Sequence, residues 1–115
     1  MEIQEHSTGT VIVFALQGRL TLEPFGRLRD RVRNLVEQGG RHLVLDLSGV
    51  SYVDSIGVAE LVRSQVIMSN QDGQLVLAEL PTQISRLLQV TKLDQIFARF
   101  GTAAQAIEHV AQTDA

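Results

Sequence analysis

Apolar residues recur along this chain in short clusters whose spacing changes from that of strands to that of helices. Residues 10–18 (TVIVFALQG) are rich in β-branched side chains and end at a glycine, which is typical of a β-strand. Residues 2–6 alternate weakly between apolar and polar positions. The pattern therefore predicts an N-terminal hairpin that turns through residues 7–9.

Helical spacing follows this hairpin. Pro24 suits the first turn of a helix because proline lacks the N–H that would go unpaired there. Apolar residues then recur at intervals of three and four until the glycine pair at 39–40 ends the helix. These apolar residues are Phe25, Leu28, Val32, Leu35 and Val36.

Strands and helices alternate from residue 42 onward. Residues 42–48 and 74–80 are compact apolar segments that predict strands, and a helix is expected between them over 55–70. A short helix around Ile84, Leu87 and Leu88 is expected to precede a last strand at 95–100.

The C-terminal segment is expected to form one more helix. Thr102 and Gln105 stand at the spacing of a capping box. The inner face of this helix is predicted to use Ala103, Ala106, Ile107 and Val110.

This alternation predicts an α/β fold. Successive βαβ units give a mostly parallel sheet, to which the hairpin adds an antiparallel part. We therefore expect a mixed sheet of four to five strands with about four α-helices, in a single domain over residues 1–115.

Composition narrows the classes of function. Of 115 residues, 44% are hydrophobic and 20% charged, as in ordinary globular proteins, and the net charge of −3 argues against direct nucleic-acid binding. The chain has no cysteine, a polar N-terminus and no apolar run near the ~18 residues that span a bilayer. We expect a cytoplasmic protein without membrane insertion, cofactor or metal.

Candidate chemistry is concentrated at residues 52–61 (YVDSIGVAEL), where a strand gives way to a helix. Asp54 can cap the helix through its carboxylate, and Ser55 stands at or beside the first helical position. Gly57 lies in the first turn, where glycine costs up to ~1 kcal/mol unless a close approach requires a bare backbone. A phosphate on Ser55 would face the positive end of the helix.

Three interpretations of Ser55 compete on local chemistry. It can be a simple helix start, a hydrolytic nucleophile at a strand-to-helix turn, or a phosphorylation site. The nucleophile would need a histidine base, for which His6, His42 and His109 are the candidates.

The segment RHLVLDLSGVSYVDSIGVAELV resembles the core of the STAS domain family, most closely the stand-alone bacterial anti-sigma-factor antagonists. The family's hallmark is Asp-Ser-x-Gly after an apolar strand that ends in Asn-Leu or Asp-Leu. Here it reads Asp54-Ser55-Ile56-Gly57, after Asp46-Leu47. The resemblance covers nearly the whole chain, including LQGRLTLEPFGRLRDRV and the C-terminal half.

The resemblance implies a partner-switching regulator rather than an enzyme. An anti-sigma factor with serine kinase activity would phosphorylate Ser55, and a phosphatase would reset the cycle. The unmodified protein would bind the anti-sigma factor and free the sigma factor. An alternative is a STAS subunit that regulates or scaffolds a transport complex without a phosphorylation cycle.

A helical wheel for residues 55–70 divides the partner surface from the core. Val58, Leu61, Val62 and Val66 share one arc, which predicts the core face. The opposite arc and the preceding loop predict the partner surface. Its expected residues are Asp54, Ser55, Ile56, Gly57, Glu60, Arg63, Ser64 and Ile67.

Overall fold

Five strands of the computed structural model, which describes residues 1–21 and 27–113, form one mixed sheet. Their order in the sheet follows the chain, and only the first pair is antiparallel. The strands are β1 (Glu2–Thr8), β2 (Val11–Leu20), β3 (His42–Val53), β4 (Gln74–Ala78) and β5 (Ala98–Phe100). The predicted mixed sheet is confirmed.

The N-terminal hairpin is also confirmed, although β1 continues through Thr8. Gly9 has φ +62°, a left-handed conformation that glycine adopts without a steric penalty. The register pairs Thr8 with Val11 and Glu2 with Gln17.

β3 is longer than predicted. The strand was predicted over residues 42–48, but it continues to Val53. β2 is long enough to pair with this extension, and two register shifts, between Ala15 and Gln17 and between Gly18 and Arg19, accommodate it. The extension remains in the sheet because its backbone is paired on the β2 side and Val50 is buried in the core.

The described residues contain four α-helices and one 3-10 helix. The α-helices are α1 (Arg27–Glu37), α2 (Ser55–Asn70), α3 (Thr82–Val90) and α4 (Ala103–Thr113), and the 3-10 helix spans Leu93–Gln95. Pro24 and Phe25, which were predicted to begin the first helix, lie outside the described residues. None of the described helices is long and apolar enough to cross a membrane.

The last strand is shorter than the predicted 95–100. The 3-10 helix occupies the preceding residues, where the Ile96 N–H donates to the carbonyl of Leu93 at 3.2 Å. Phe97 is buried in the core, and pairing with β4 begins only at Ala98.

α4 begins as its capping signal predicted. The Gln105 N–H donates to Thr102 Oγ1 at 3.1 Å, and the Ala103 N–H donates to the carboxylate of Glu79 at 3.1 Å. The first N–H groups of a helix have no carbonyl partner within the helix, and two of those in α4 are therefore paired by side chains.

The two faces of the sheet carry different cores. The face under α1, α2 and α3 is rich in leucine, including Leu43, Leu45, Leu75 and Leu77. The face under α4 is built from smaller residues, namely Val11, Val13, Val44, Val76 and Ala78, with Ala106 and Val110 from the helix. The inner face predicted for α4 is confirmed, with Ala103 and Ile107 partly buried at its margin.

Candidate functional site

The site is built where β3 ends and α2 begins. Asp54 is the N-cap of α2 in an extended conformation, and its Oδ1 accepts a hydrogen bond from the Gly57 N–H at 2.9 Å. Ser55 is the first residue of the helix and is exposed. The predicted helix start, the capping role of Asp54 and the accessibility of Ser55 are therefore confirmed.

The end of β2 fixes the position of this helix start. The Asp54 N–H lies 3.4 Å from the Leu20 carbonyl oxygen, and Gly57 packs against the same carbonyl. A Cβ on Gly57 would collide with that oxygen and lie 2.8 Å from the carbonyl carbon. Glycine is required here by the neighbouring strand of the same chain.

The predicted phase of α2 is wrong in part. Glu60 and Ser64, expected on the partner surface, are only 2% and 0% exposed, whereas Val66, expected in the core, is 48% exposed. Ile67 is partly buried and packs against the core rather than standing free. The buried residues of the helix are Gly57, Val58, Glu60, Leu61, Ser64 and Met68.

Local hydrogen bonds explain why two polar side chains face inward. Glu60 Oε2 accepts a hydrogen bond from the Arg29 N–H, in the first turn of α1, at 3.3 Å. The first N–H groups of a helix lack helical partners and favour a negative charge nearby. Ser64 Oγ donates to the Glu60 carbonyl at 2.8 Å. A helical wheel that ranks residues by hydrophobicity cannot detect the hydrogen bond between Glu60 on α2 and Arg29 on α1.

The exposed side of α2 forms a ridge that runs from Ser55 to Val66. Beside its first half lies a groove of about 400 Å³ between α2, α3 and the 3-10 helix, which we call the switch groove. The described residues that line it are mostly apolar, and Ser55, Arg63 and Thr91 are the polar ones among them. The residues lining it are Ser55, Val58, Ala59, Val62, Arg63, Leu87, Thr91 and Leu93.

Sequence reasoning missed the far wall of this groove. The sequence predicts Leu87 only as part of a short helix, and no pattern marks Thr91 or Leu93. The αL conformation of Lys92, with φ 62°, lies between α3 and the 3-10 helix that carries Leu93. No sequence motif predicts this turn. The position of Leu87 in the predicted short helix is only a weak indication that it lines a groove.

The structure brings together some of the predicted site residues and separates others. Asp54, Ser55 and the exposed Arg63 lie along the helix start and the switch groove. Ile56 is partly exposed in the first turn, and Gly57 is buried beneath it. Ile67 lines a different groove, beside α1.

An aromatic contact borders the same end of the sheet. The Arg19 guanidinium carbon lies 4.5 Å from the centroid of the Tyr52 ring, a cation–π distance. Tyr52 is 44% exposed and stands two residues before Asp54. These side chains extend the exposed surface around the start of α2.

The three histidines that were candidate bases for Ser55 lie elsewhere in the fold. His42 opens β3, at the opposite end of that strand from Ser55, and Gln74 Nε2 lies 3.2 Å from its Nδ1. His109, on α4 at the opposite face of the sheet, lies beside the ring of Phe100, with ring centroids 4.8 Å apart. His6 lies in β1, opposite Val13 of β2. Over residues 1–21 and 27–113, no histidine adjoins Ser55, and no acidic or histidine cluster could hold a metal.

Comparison with known proteins agrees with this architecture. The family model described as "Mlab, STAS domain" matches residues 3–99. The anti-sigma-B factor antagonist of Listeria monocytogenes is 27% identical over 96 residues, which cover 84% of this chain and 83% of that protein.

Two solved structures share the fold. An anti-sigma factor antagonist from Mycobacterium paratuberculosis superposes with a TM-score of 0.84 at 21% identity, over 96% of this chain and 93% of its own. The Bacillus cell fate determinant SpoIIAA, solved in its phosphorylated form, gives a TM-score of 0.74 at 20% identity, over 95% and 99% of the two chains.

Proposed function

Because this chain belongs to the STAS domain family, we propose that it is an anti-sigma-factor antagonist controlled by phosphorylation of Ser55. The unmodified protein binds an anti-sigma factor with serine kinase activity, and the sigma factor is released. The kinase transfers phosphate to Ser55 and ends binding, and a phosphatase restores the unmodified form. The observation that carries this proposal is an exposed serine at the first position of α2, at the edge of an apolar groove.

The free protein can accommodate the phosphate with little change. A phosphoserine brings about −1.5 to −2 charges, and the N-terminus of a helix is the favourable place for them. Asp54 already occupies the Gly57 N–H, so the phosphate would face the earlier backbone N–H groups of the first turn. The phosphorylated protein should therefore keep its fold.

An interface over the switch groove would reject the same phosphate. Contact there must remove water from Ser55 together with the apolar wall formed by Val58, Val62 and Leu87. Burying an unpaired charge of this size is strongly unfavourable. A few kcal/mol suffices, because each 1.4 kcal/mol changes affinity about tenfold.

The partner surface that we propose differs from the surface predicted by the helical wheel. Asp54, Ser55, Ile56 and Arg63 remain in it, and the walls of the switch groove are added. Glu60 and Ser64 are excluded because they are buried. Gly57 contributes by allowing α2 to start against β2, and the base for phosphate transfer comes from the kinase.

Phosphate transfer is tested by incubating the protein with ATP and the serine-kinase anti-sigma factor, followed by mass spectrometry of its peptides. We expect one phosphate, on the peptide that contains Ser55. Ser55→Ala should accept none, and the control Ser69→Ala, at another exposed serine of α2, should be labelled like the wild type.

Two results would contradict the proposal. One is a phosphate on a different residue with Ser55 unmodified. The other is a stable complex with the anti-sigma factor in which no phosphate is transferred. A transport-complex subunit without a phosphorylation cycle would give no transfer from any kinase fraction.

A further inference from the structure

The far wall of the switch groove is a short segment between α3 and β5. Lys92 follows α3 in the left-handed conformation, with φ 62°, and the 3-10 helix leads on to Phe97, which is buried in the core. Leu93 of this segment lines the groove. A residue other than glycine is sterically unfavourable at positive φ and keeps that conformation only where surrounding contacts hold it. The position of the wall therefore depends on the contacts of this segment.

A hydrogen bond joins the segment to α2. Gln65 Nε2 donates to the main-chain carbonyl of Ile96 at 3.1 Å. Because that carbonyl can only accept, the amide group of Gln65 turns its nitrogen towards Ile96 and its oxygen away. The oxygen, Oε1, is buried and has no hydrogen-bond partner among the residues that the structure describes. A buried polar atom without a partner is unfavourable, so the orientation of Gln65 is explained by its bond to Ile96.

Gln65 belongs to the side of α2 that faces the switch groove. Val58, Val62 and Gln65 follow one another at intervals of four and three residues, which places them on one face of the helix. Val58 and Val62 line the groove, and Gln65 comes about one turn later. It lies about 15 Å along the helix from Ser55, at 1.5 Å per residue. The hydrogen bond to Ile96 is therefore at the end of the groove away from Ser55.

We propose that Gln65 is a positioning residue, which holds the far wall of the switch groove at the width that the anti-sigma factor recognises. The Ile96 N–H donates to the carbonyl of Leu93 at 3.2 Å, so a displacement of Ile96 would be transmitted to Leu93 in the wall. Gln65 acts through this segment and not by contact with Ser55. The inference rests on the proposed function for the identity of the partner.

Loss of this hydrogen bond should loosen the wall without unfolding the domain. Ile96 is 42% exposed, whereas Phe97 next to it is buried, so the segment can open locally while its anchor stays in the core. The partner would then bind only the fraction of molecules in which the wall has the right position, and its apparent affinity would fall by that fraction. Transfer of phosphate to Ser55 within the complex would be unchanged, because Gln65 is distant from the acceptor.

Hydrogen exchange of backbone amides, followed by NMR on the full chain, tests the wall without any partner. Gln65→Met keeps the length of the side chain but removes the donor. We expect the Ile96 N–H to exchange at least fivefold faster in Gln65→Met, and the Gly57 N–H, which is bonded to Asp54, to stay within twofold of the wild type. The matched control is Gln83→Met, at an exposed glutamine of α3, which should leave both rates unchanged.

The kinetics of phosphate transfer from ATP by the serine-kinase anti-sigma factor test the consequence for the partner. Gln65→Met and Gln65→Glu both lack the donor but differ in polarity, so a shared effect reports the lost hydrogen bond. Both should raise the KM for this protein about fivefold and leave kcat within twofold, as expected when only binding is weakened. Gln83→Met should change neither constant, and the melting temperatures of all three variants should stay close to that of the wild type.

Three results would overturn this inference alone. The first is an unchanged exchange rate of the Ile96 N–H in Gln65→Met. The second is faster exchange at Ile96 with the KM of the wild type. The third is equally accelerated exchange at Ile96 and Gly57 with lowered melting temperatures, which would assign Gln65 a purely structural role. Failure of the proposed function is distinguishable, because the wild type itself would then accept no phosphate, and that result would overturn both.

Discussion

Gly57 has no side chain because the backbone of β2 occupies the space where one would stand. The Leu20 carbonyl meets both the first turn of α2 and the Asp54 N–H, so strand and helix start are fixed to each other at this point. Alanine is otherwise the better helix former by up to ~1 kcal/mol. The glycine of the motif is therefore required by the packing of α2 against β2, next to Ser55.

Gly57→Ala should be destabilising despite the higher helix propensity of alanine. We expect the free energy of unfolding to fall by about 1–3 kcal/mol, the usual cost of overpacking a buried site, measured by urea denaturation. Gly101→Ala is the control, because its Cβ would meet only the flexible end of Gln105, at 3.4 Å. An unchanged midpoint for Gly57→Ala would show that α2 can shift away from β2.

Glu60 joins two helices from a buried position. Its carboxylate accepts from the Arg29 N–H, while its other oxygen, Oε1, has no hydrogen-bond partner within the described part of the chain. Hydrogen bonds to charged groups contribute about 1.5–3 kcal/mol, and replacing Glu60 with alanine removes this one.

Glu60→Ala should therefore lower the free energy of unfolding by about 2 kcal/mol. Glu108→Ala, at an exposed glutamate of α4, should change it by no more than ~0.5 kcal/mol. Thermal melts of the two variants decide between the inward position of Glu60 and the outward position that the helical wheel predicted. Equal melts would favour the wheel.

α2 is the element whose ends were predictable and whose rotation was not. Its limits follow from local chemistry, since Asp54 caps one end and Asp72-Gly73 follows the other. Its rotation depends on the contact between Glu60 and α1 and on the open grooves that leave Val66 exposed. Both arise from tertiary packing, which apolar periodicity within one helix cannot report.

Because of this rotation, the neighbouring apolar residues Val66 and Ile67 of α2 differ in burial and should differ in their contribution to stability. Val66→Ser should change the free energy of unfolding by no more than ~0.5 kcal/mol, because about half of the valine is exposed and it is not part of the buried core. Ile67→Ser should cost about 1–2 kcal/mol, because the isoleucine packs against the core. Chemical denaturation of the pair measures this difference, and the reverse order would place the helix in the phase of the original wheel.

The limits of the strands also depend partly on local sequence and partly on tertiary contacts. The hairpin and the parallel strands β3 and β4 were predictable from composition and turn residues, although β4 ends at Ala78 instead of the predicted Leu80 because Glu79 has a left-handed conformation, with φ 59°. The extension of β3 to Val53 was not, because it depends on pairing with β2 and on the burial of Val50 in the core, neither of which the local sequence shows. The shortened β5 likewise reflects Phe97 turning into the core.

At the scale of the whole molecule, the α2 ridge separates two grooves. The switch groove has Ser55 at its edge, whereas the groove beside α1 is lined by Arg29, Arg33 and Ile67. Val62 and Arg63 belong to both. The serine and its cap were predictable from the motif, but the grooves were not, since each requires the packing of two or three helices.

The central claim is that charge at Ser55 decides partner binding without disturbing the fold. Ser55→Ala removes the acceptor and adds neither charge nor bulk. Ser55→Asp adds a negative charge at a helix N-terminus, which is favourable by ~0.3–1 kcal/mol. The two variants should therefore have similar melting temperatures.

The most direct measurement is calorimetric titration of the serine-kinase anti-sigma factor with Ser55→Ala and Ser55→Asp. Ser69→Asp serves as the charge-matched control at another exposed serine of α2. We expect Ser55→Ala and Ser69→Asp to bind like the unmodified wild type, and Ser55→Asp to bind at least tenfold more weakly. Equal affinities of Ser55→Ala and Ser55→Asp, with intact melts, would contradict the account.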